Sequence, residues 1–322
     1  MTSISTPRGG GLHMRLPATS ANLGAGFDAA AVALDFHLEI DDKVAHEFSI
    51  DATGRDAARC ARLEDNLIFD VYRRVLAENG RPEIPLALQM VNGIPLGMGC
   101  GSSAAGRLAG IAMAVHFGEL GWTSDQILEE ATAMEGHPDN AAACWLGGFV
   151  AAANQDRAVY WARVSPPSEW RAIIALPSRP LATTKARAVL PNSYSRPDVV
   201  ANLQSASLLG LAFAQARGDL LRVAMRDLIH KRNRAPICPL LPPLLPLVGE
   251  NGILGAALSG AGPAVLVVVD GAQSIRSAST AIFKAVSDLE EPELHICSFE
   301  LCGANFGLAK MFDSERLPKR RK

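Results

Sequence analysis

Residues Ile94 to Gly106 read I-P-L-G-M-G-C-G-S-S-A-A-G, and the order of residue types makes a loop that turns into a helix. Gly97, Gly99 and Gly101 alternate, which opens the backbone to dihedrals barred to residues with a Cβ. Ser102, Ser103, Ala104 and Ala105 lead into Arg107–Val115, a small-residue stretch suited to a packed helix. The first N–H groups of a helix lack intrahelical partners, and the macrodipole adds partial positive charge there. A glycine loop feeding such an end predicts a phosphate site. Glycines alone would serve a tight strand-to-helix turn equally well. The two hydroxyls and the immediate alanine-rich helix move the reading toward a nucleotide phosphate.

Two common phosphate loops are excluded. A Walker A motif would end Gly-Lys-Ser/Thr and place an ammonium on the terminal phosphates, and no lysine stands here. A dinucleotide fingerprint would read G-x-G-x-x-G, and Gly97-x-Gly99-x-x-Ser102 fails at its last position.

Outward from the loop, Leu86–Val91 suits a strand feeding it, and Asp65–Asn79 carries Leu67, Ile68, Val71, Val75 and Leu76 at helical spacing. Thr123 with Gln126 three residues on predicts a capping box for a helix to about Glu135. Pro17–Asp28 reads as a polar, glycine-bearing turn after Leu12–Leu16. Ile173–Leu176 and Ala264–Val269 read as buried strands, and Val199–Arg217 and Leu220–Ile229 as helices. Pro236, Pro239, Pro242, Pro243 and Pro246 predict a non-helical connector. Strands mixed with helices, without strict alternation, favour an α+β fold. The turn-rich Ser165–Glu169 segment divides the chain into expected domains 1–167 and 168–322.

With 48% hydrophobic and 20% charged residues among 322, the chain has a substantial core. A net charge of −2 gives no electrostatic reason to expect nucleic acid or an acidic membrane as partner. No window reaches the ~20 apolar residues of a spanning helix. Met1–His13 has no secretory h-region, and Lys319–Lys322 reads as a solvated tail. Six cysteines without C-x-x-C or zinc spacing predict buried thiols in a reducing cytoplasm.

Phosphoryl transfer needs charge neutralisation, a divalent ion and a positioned acceptor. Mg²⁺ takes oxygen ligands, so a carboxylate near the loop is expected. Glu130 falls on a polar arc and reads as a surface charge. Glu135-Gly136-His137-Pro138-Asp139-Asn140 is dense in polar groups between the apolar runs Ala131–Met134 and Ala141–Trp145. Buried polar groups need partners, so this segment reads as a site.

Pro95-Leu96-Gly97-Met98-Gly99-Cys100-Gly101-Ser102-Ser103-Ala104-Ala105 resembles the phosphate loop of the GHMP kinase superfamily, with Cys100 where leucine is more frequent. Pro17–Asp28, P-A-T-S-A-N-L-G-A-G-F-D, resembles the first signature of the homoserine kinases at every fixed position, and E-G-H-P-D-N is similar to their second. Leu181–Pro191 looks like their T-x-x-A-R-x-x-L-P segment, and Leu258–Ala264 resembles the third, glycine-rich signature of the superfamily. The resemblance spans residues 15 to 264.

It implies a two-domain fold with an N-terminal nucleotide-binding domain and a C-terminal α/β sandwich-like domain. The implied activity is transfer of phosphate from ATP to L-homoserine with Mg²⁺, a step feeding threonine synthesis. By this resemblance the loop Pro95–Ala105 holds the triphosphate, Asn66 lies near the base, and Ser102 with Glu135 (or Glu129) holds the metal. Asn22, Asp28, His137, Thr183, Arg187, Arg234 and Gly260 would bind homoserine, Asp28 facing its ammonium. The carboxylate calls for arginine, whose planar guanidinium forms two parallel charge-assisted bonds. Arg232 is the rival of Arg234, because Lys231-Arg232-Asn233 departs from the family's Glu-Pro-Tyr. Asn140 stands where other branches carry a basic aspartate. A carboxamide accepts no proton near neutral pH, so catalysis would rest on positioning and charge, with Asp139 left open as a base. A homodimer is common in the family. The alternatives are another small-molecule kinase of the superfamily and a regulator that has lost catalysis; Ser102, Asp28 and Glu135 are all intact.

Overall fold

A computed structural model describes residues 11–306. Most of the stretch read for a secretory signal, and the Lys319–Lys322 tail, lie outside the described residues. The first group of elements is β1 (His13–Asn22), β2 (Gly26–Val44), β3 (Ser49–Gly54), α1 (Ala57–Cys60), α2 (Leu67–Glu78), β4 (Leu86–Asn92), α3 (Ser102–Phe117), α4 (Ser124–Glu135), α5 (Asp139–Leu146), β5 (Phe149–Gln155) and β6 (Ala158–Val164). The second is β7 (Arg171–Leu176), α6 (Thr183–Ala188), α7 (Arg196–Ala214), α8 (Gly218–Ala224), α9 (Lys231–Arg234), α10 (Leu241–Leu244), β8 (Ile253–Leu258), β9 (Val265–Val269), α11 (Ile275–Ala285), β10 (Glu293–Cys297) and β11 (Asn305–Phe306). The mixture is α+β, as expected.

β2 organises the first sheet. Its 19 residues pair with β1 over most of their length, with β4 through Leu38–Val44 and with β5 through Ala30–Val32. The order is β11-β1-β2-β4-β3, with β6 beyond β5. Only β3 and β4 run parallel. The second sheet, β10-β7-β9-β8, is antiparallel throughout. β9, Val265–Val269, is buried at every residue, as a continuous apolar run in a central strand requires. α3 is apolar almost all round, with 12 of its 16 residues buried, and so runs through the core rather than along its surface. Each fully buried leucine or isoleucine there, Leu108 and Ile111 among them, contributes about 1.5–3 kcal/mol.

Several expectations change. Pro17–Ala21 continues strand β1, and the turn is confined to Leu23–Ala25. α8 stops at Ala224, because Asp227 Oδ1 takes the amides of Ile229 and His230 at 2.7 and 3.0 Å and closes a separate turn. The proline-rich connector contains helical turns: α10 and 3₁₀ turns at Ala235–Ile237 and Leu245–Leu247. Its prolines open all three at the first or second position, where the missing N–H costs nothing. Glu130 is half-buried, and burial, then Glu78, pushes its carboxyl up.

The chain also returns to its beginning. Phe299 bridges Leu34, the amide of Glu300 bonds Ala33 O at 3.0 Å, and β11 pairs with β1. No helix of the described residues is long and apolar enough to cross a membrane.

Candidate active site

The glycine loop joins β4 to α3, and its three glycines adopt φ of +72°, +83° and +74°. A Cβ on Gly99 would stand 2.1 Å from Ser259 O, and one on Gly101 would stand 1.9 Å from Thr19 Oγ1. No other residue fits either position. The loop's carbonyls are bound into the protein. Those of Gly97, Met98 and Cys100 accept from the amides of Leu181, Ala264 and Thr19 at 3.0, 3.3 and 3.1 Å, and that of Gly99 from Ser259 Oγ at 2.7 Å. In a trans peptide the N–H points opposite the C=O, so fastening these oxygens turns the amides the other way. α3 then starts from Gly101 without a side-chain cap. α2, α4 and α7, in contrast, are capped by Asn66, Thr123 and Ser195. The uncapped end offers its orphan donors and the positive end of the dipole to an anion.

Leu96, Gly97, Gly99, Gly101, Ser102, Ser103 and Ala104 line a cleft of about 580 Å³, within the range of small-molecule sites. Pro95, Cys100 and Ala105 are buried and, like Met98, stand outside that lining. Burial pushes the Cys100 thiol up to about 12, so it is an inert apolar support. At the other side of the loop the cleft is lined by Leu38, Met90, Ile94 and Asn66. The Asn66 side chain is already engaged there. Its oxygen caps Ile68 and Phe69 at 3.2 and 3.4 Å, and its nitrogen donates to the carbonyls of Cys60 and Arg62 at 3.3 and 2.9 Å.

Opposite lies the β1–β2 turn, where Asn22, Leu23 and Asp28 take φ of +69°, +46° and +55°. Such backbone costs a non-glycine residue of order 1–2 kcal/mol and persists only where surroundings over-determine it. They do so here. Asn22 accepts from the Asp28 amide at 3.0 Å and donates to Gly260 O at 2.7 Å, and Asn202 donates to Ala25 O at 3.0 Å. The turn presents the Asp28 carboxylate to Arg187, which grips it through two bonds of 2.7 and 3.1 Å.

Arg234 is 1% exposed and donates to Ala186 O at 3.1 Å and Gly260 O at 3.3 Å. Burial, then the neighbouring Arg187, lowers its pKa, but a guanidinium keeps its charge. The Phe27 ring lies 5.7 and 5.4 Å from the Arg187 and Arg234 guanidinium carbons, a cation–π support for both. Arg232 is exposed and outside the cleft; of the two rivals, Arg234 enters it. Thr183 and Gly260 line this end as well. A carboxylate and two arginines side by side suit a ligand carrying both charges.

The third wall is the turn between α4 and α5. Glu135 accepts from Ser103 Oγ at 2.9 Å and from the Arg107 guanidinium. His137 Nδ1 lies 2.6 Å from Asp139 Oδ1, which also takes the Asn140 amide at 2.6 Å. Burial alone would lower the pKa of His137, but Asp139 first, then Asp28 and Glu135, hold it above its ordinary value. Thr19 Oγ1 donates to Asn140 Oδ1 at 2.6 Å, tying this turn to β1. Glu129 stands outside the cleft lining. Sequence reasoning overlooked Thr19 and Arg107. Arg107 had a signal, as the lone guanidinium in a helix of small apolar residues.

Family models of the GHMP kinases match this chain: the N terminal domain over residues 66–148 and the C terminal over residues 211–287. A homoserine kinase of Solibacter usitatus is 42% identical over 84% of this chain and 90% of its own length. Another, of Synechocystis, is 36% identical over 90% and 96%. The crystal structure of homoserine kinase from Cytophaga hutchinsonii superposes with a TM-score of 0.78 over 95% of this chain and 99% of that one, at 23% identity. With the glycine loop, the uncapped helix and the acid–arginine wall on one cleft, this chain belongs to the homoserine kinase family of the GHMP kinases.

Proposed function

We propose that this chain transfers the γ-phosphoryl group of ATP to the hydroxyl of L-homoserine, giving ADP, O-phospho-L-homoserine and a proton, in threonine biosynthesis. One observation carries the reading: a single cleft holds the uncapped α3 end and, facing it, Asp28 beside Arg187 and Arg234. The loop amides of Gly97–Ser103 bind the triphosphate. Glu135, which here accepts from Ser103 and Arg107, and the Ser102 hydroxyl line the same cleft and would offer Mg²⁺ the oxygen donors it takes. When bound, that ion neutralises charge on the transferred phosphate. Asp28 takes the ammonium of homoserine, and Arg187 and Arg234 take its carboxylate, with Asn22, Thr183, His137 and Gly260 completing the pocket. Asn140, held by Thr19, orients the hydroxyl and accepts no proton. The oxygen–phosphorus bond forms as the β,γ-bridging bond breaks, and the hydroxyl proton departs late, as a loose transition state allows.

We take the domains as 1–167 and 168–322; the change of sheet between β6 and β7 supports that division. Six unpaired cysteines support a reducing cytoplasm. A homodimer is part of the proposal, although one chain supplies the whole cleft. The experiment is ADP release across small alcohols, where homoserine should give the highest kcat/KM. A sugar or mevalonate that beats it overturns the assignment.

A further inference from the structure

The phosphate loop lacks the lysine that other phosphate loops place on the terminal phosphates. The structure puts a different cation there. Arg107 follows Ser103 by one helical turn on α3, and its guanidinium meets the Ser103 hydroxyl and Glu135 at the floor of the cleft. Every other residue from Ala104 to Val115 is buried and uncharged, so Arg107 is the single charge that this helix directs into the site. Its side chain is 22% exposed and that of Glu135 is 10% exposed, so the pair is sheltered but open to the cleft. Of the other arginines lining the cleft, Arg187 and Arg234 stand at the acceptor end, beside Asp28 and Gly260.

We infer that Arg107 is a further catalytic residue, which exchanges Glu135 for the terminal phosphate of ATP. Without nucleotide, Glu135 holds the guanidinium. Were Glu135 to take a divalent ion, Arg107 would be free for the γ-phosphoryl oxygens. It adds charge stabilisation, its planar guanidinium offering paired N–H donors to phosphate oxygens. This rests on the kinase reading above.

The test measures nucleotide affinity by titration calorimetry in excess chelator, so that turnover and metal play no part. Glu135→Gln frees Arg107 from its carboxylate and is expected to tighten metal-free ATP binding about tenfold, the worth of one charge-assisted bond. Arg107→Met in the Glu135→Gln background should erase that gain. AMP, which has no terminal phosphates, should bind all variants alike. With Mg²⁺ present, Arg107→Met alone should lower kcat about a hundredfold while the homoserine KM stays within about twofold, and Arg107→Lys should recover part of the loss. Unchanged metal-free ATP affinity in Glu135→Gln overturns the inference, as does equal weakening of ATP and AMP by Arg107→Met. Should Arg107→Met fail to fold, Glu135→Gln alone still decides. Failure of the wild-type protein to bind ATP at all would instead overturn the kinase reading beneath it.

Discussion

Replacing Gly101 by alanine isolates the loop's contribution. Two costs arise. The residue sits at φ +74°, which penalises a Cβ by about 1–2 kcal/mol. The Cβ would also lie 1.9 Å from Thr19 Oγ1, so strand and loop must separate by more than an ångström. That movement strains the 3.1 Å bond from the Thr19 amide to Cys100 O and the 2.6 Å bond from Thr19 Oγ1 to Asn140, each worth about 1 kcal/mol net. The sum is about 3–4 kcal/mol, or roughly 4–6 °C in Tm for a chain of this size. Gly121→Ala is the control, since it has φ of +67° but nothing within 4 Å of its Cβ; it should lose only the backbone cost. The assay pairs thermal unfolding with ATP KM. Gly101→Ala should exceed Gly121→Ala in both, raising ATP KM at least about tenfold. Equal Tm losses in the two variants, or a wild-type ATP KM in Gly101→Ala, would refute the claim that the loop is shaped by its contact with β1.

Asp42 is 5% exposed, one oxygen accepting from the Leu12 amide at 2.7 Å and the other unpartnered, and burial pushes its carboxyl from 3.8 up to about 6. A raised carboxyl binds its proton more tightly when folded, so stability should fall by roughly 3 kcal/mol as pH rises from 4 to 6 and level off above. Denaturant unfolding should show Asp42→Asn flattening that slope, and an unchanged slope contradicts the assignment. Arg187→Ala removes a two-bond grip and should raise the homoserine KM about a hundredfold, with ATP KM nearly constant; equal damage to both rejects its place at the acceptor. Chelating divalent ions should stop ADP release and Mg²⁺ restore it, whereas turnover in excess chelator would remove the metal from the reaction.

What was legible in the sequence was local. The loop–helix junction followed from glycine spacing, and the Thr123–Gln126 capping box from a three-residue offset, with both of its bonds present at 2.8 and 3.3 Å. The α2 helix followed from its apolar stripe, although it begins at Leu67, capped by Asn66, and not at Asp65. What escaped depends on partners distant in the chain. Pro17–Ala21 carries the polar residues of a turn, yet Thr19 and Ser20 are wholly buried in a strand, because β2 pairs along them. The connector's prolines read as breakers, whereas at helix starts they are compatible with a turn. At the site, the family resemblance announced Asp28, Arg187 and Glu135, but not that Asp28 and Arg187 hold each other across 159 positions. Nor did they announce that Arg107 would meet Glu135 across 28.

The return of Phe299–Phe306 to the first sheet bears on how the protein is made. During synthesis, β1 through β6 emerge while the residues that seal them are still roughly 7–30 seconds away, at about 5–20 residues per second. In that interval the edge of β1 is bare and the backbone of Ala33 lacks the partner that Glu300 later provides. A fragment ended at residue 167 would be fixed in that unfinished condition. The first sheet is therefore complete only after its last strand has left the ribosome.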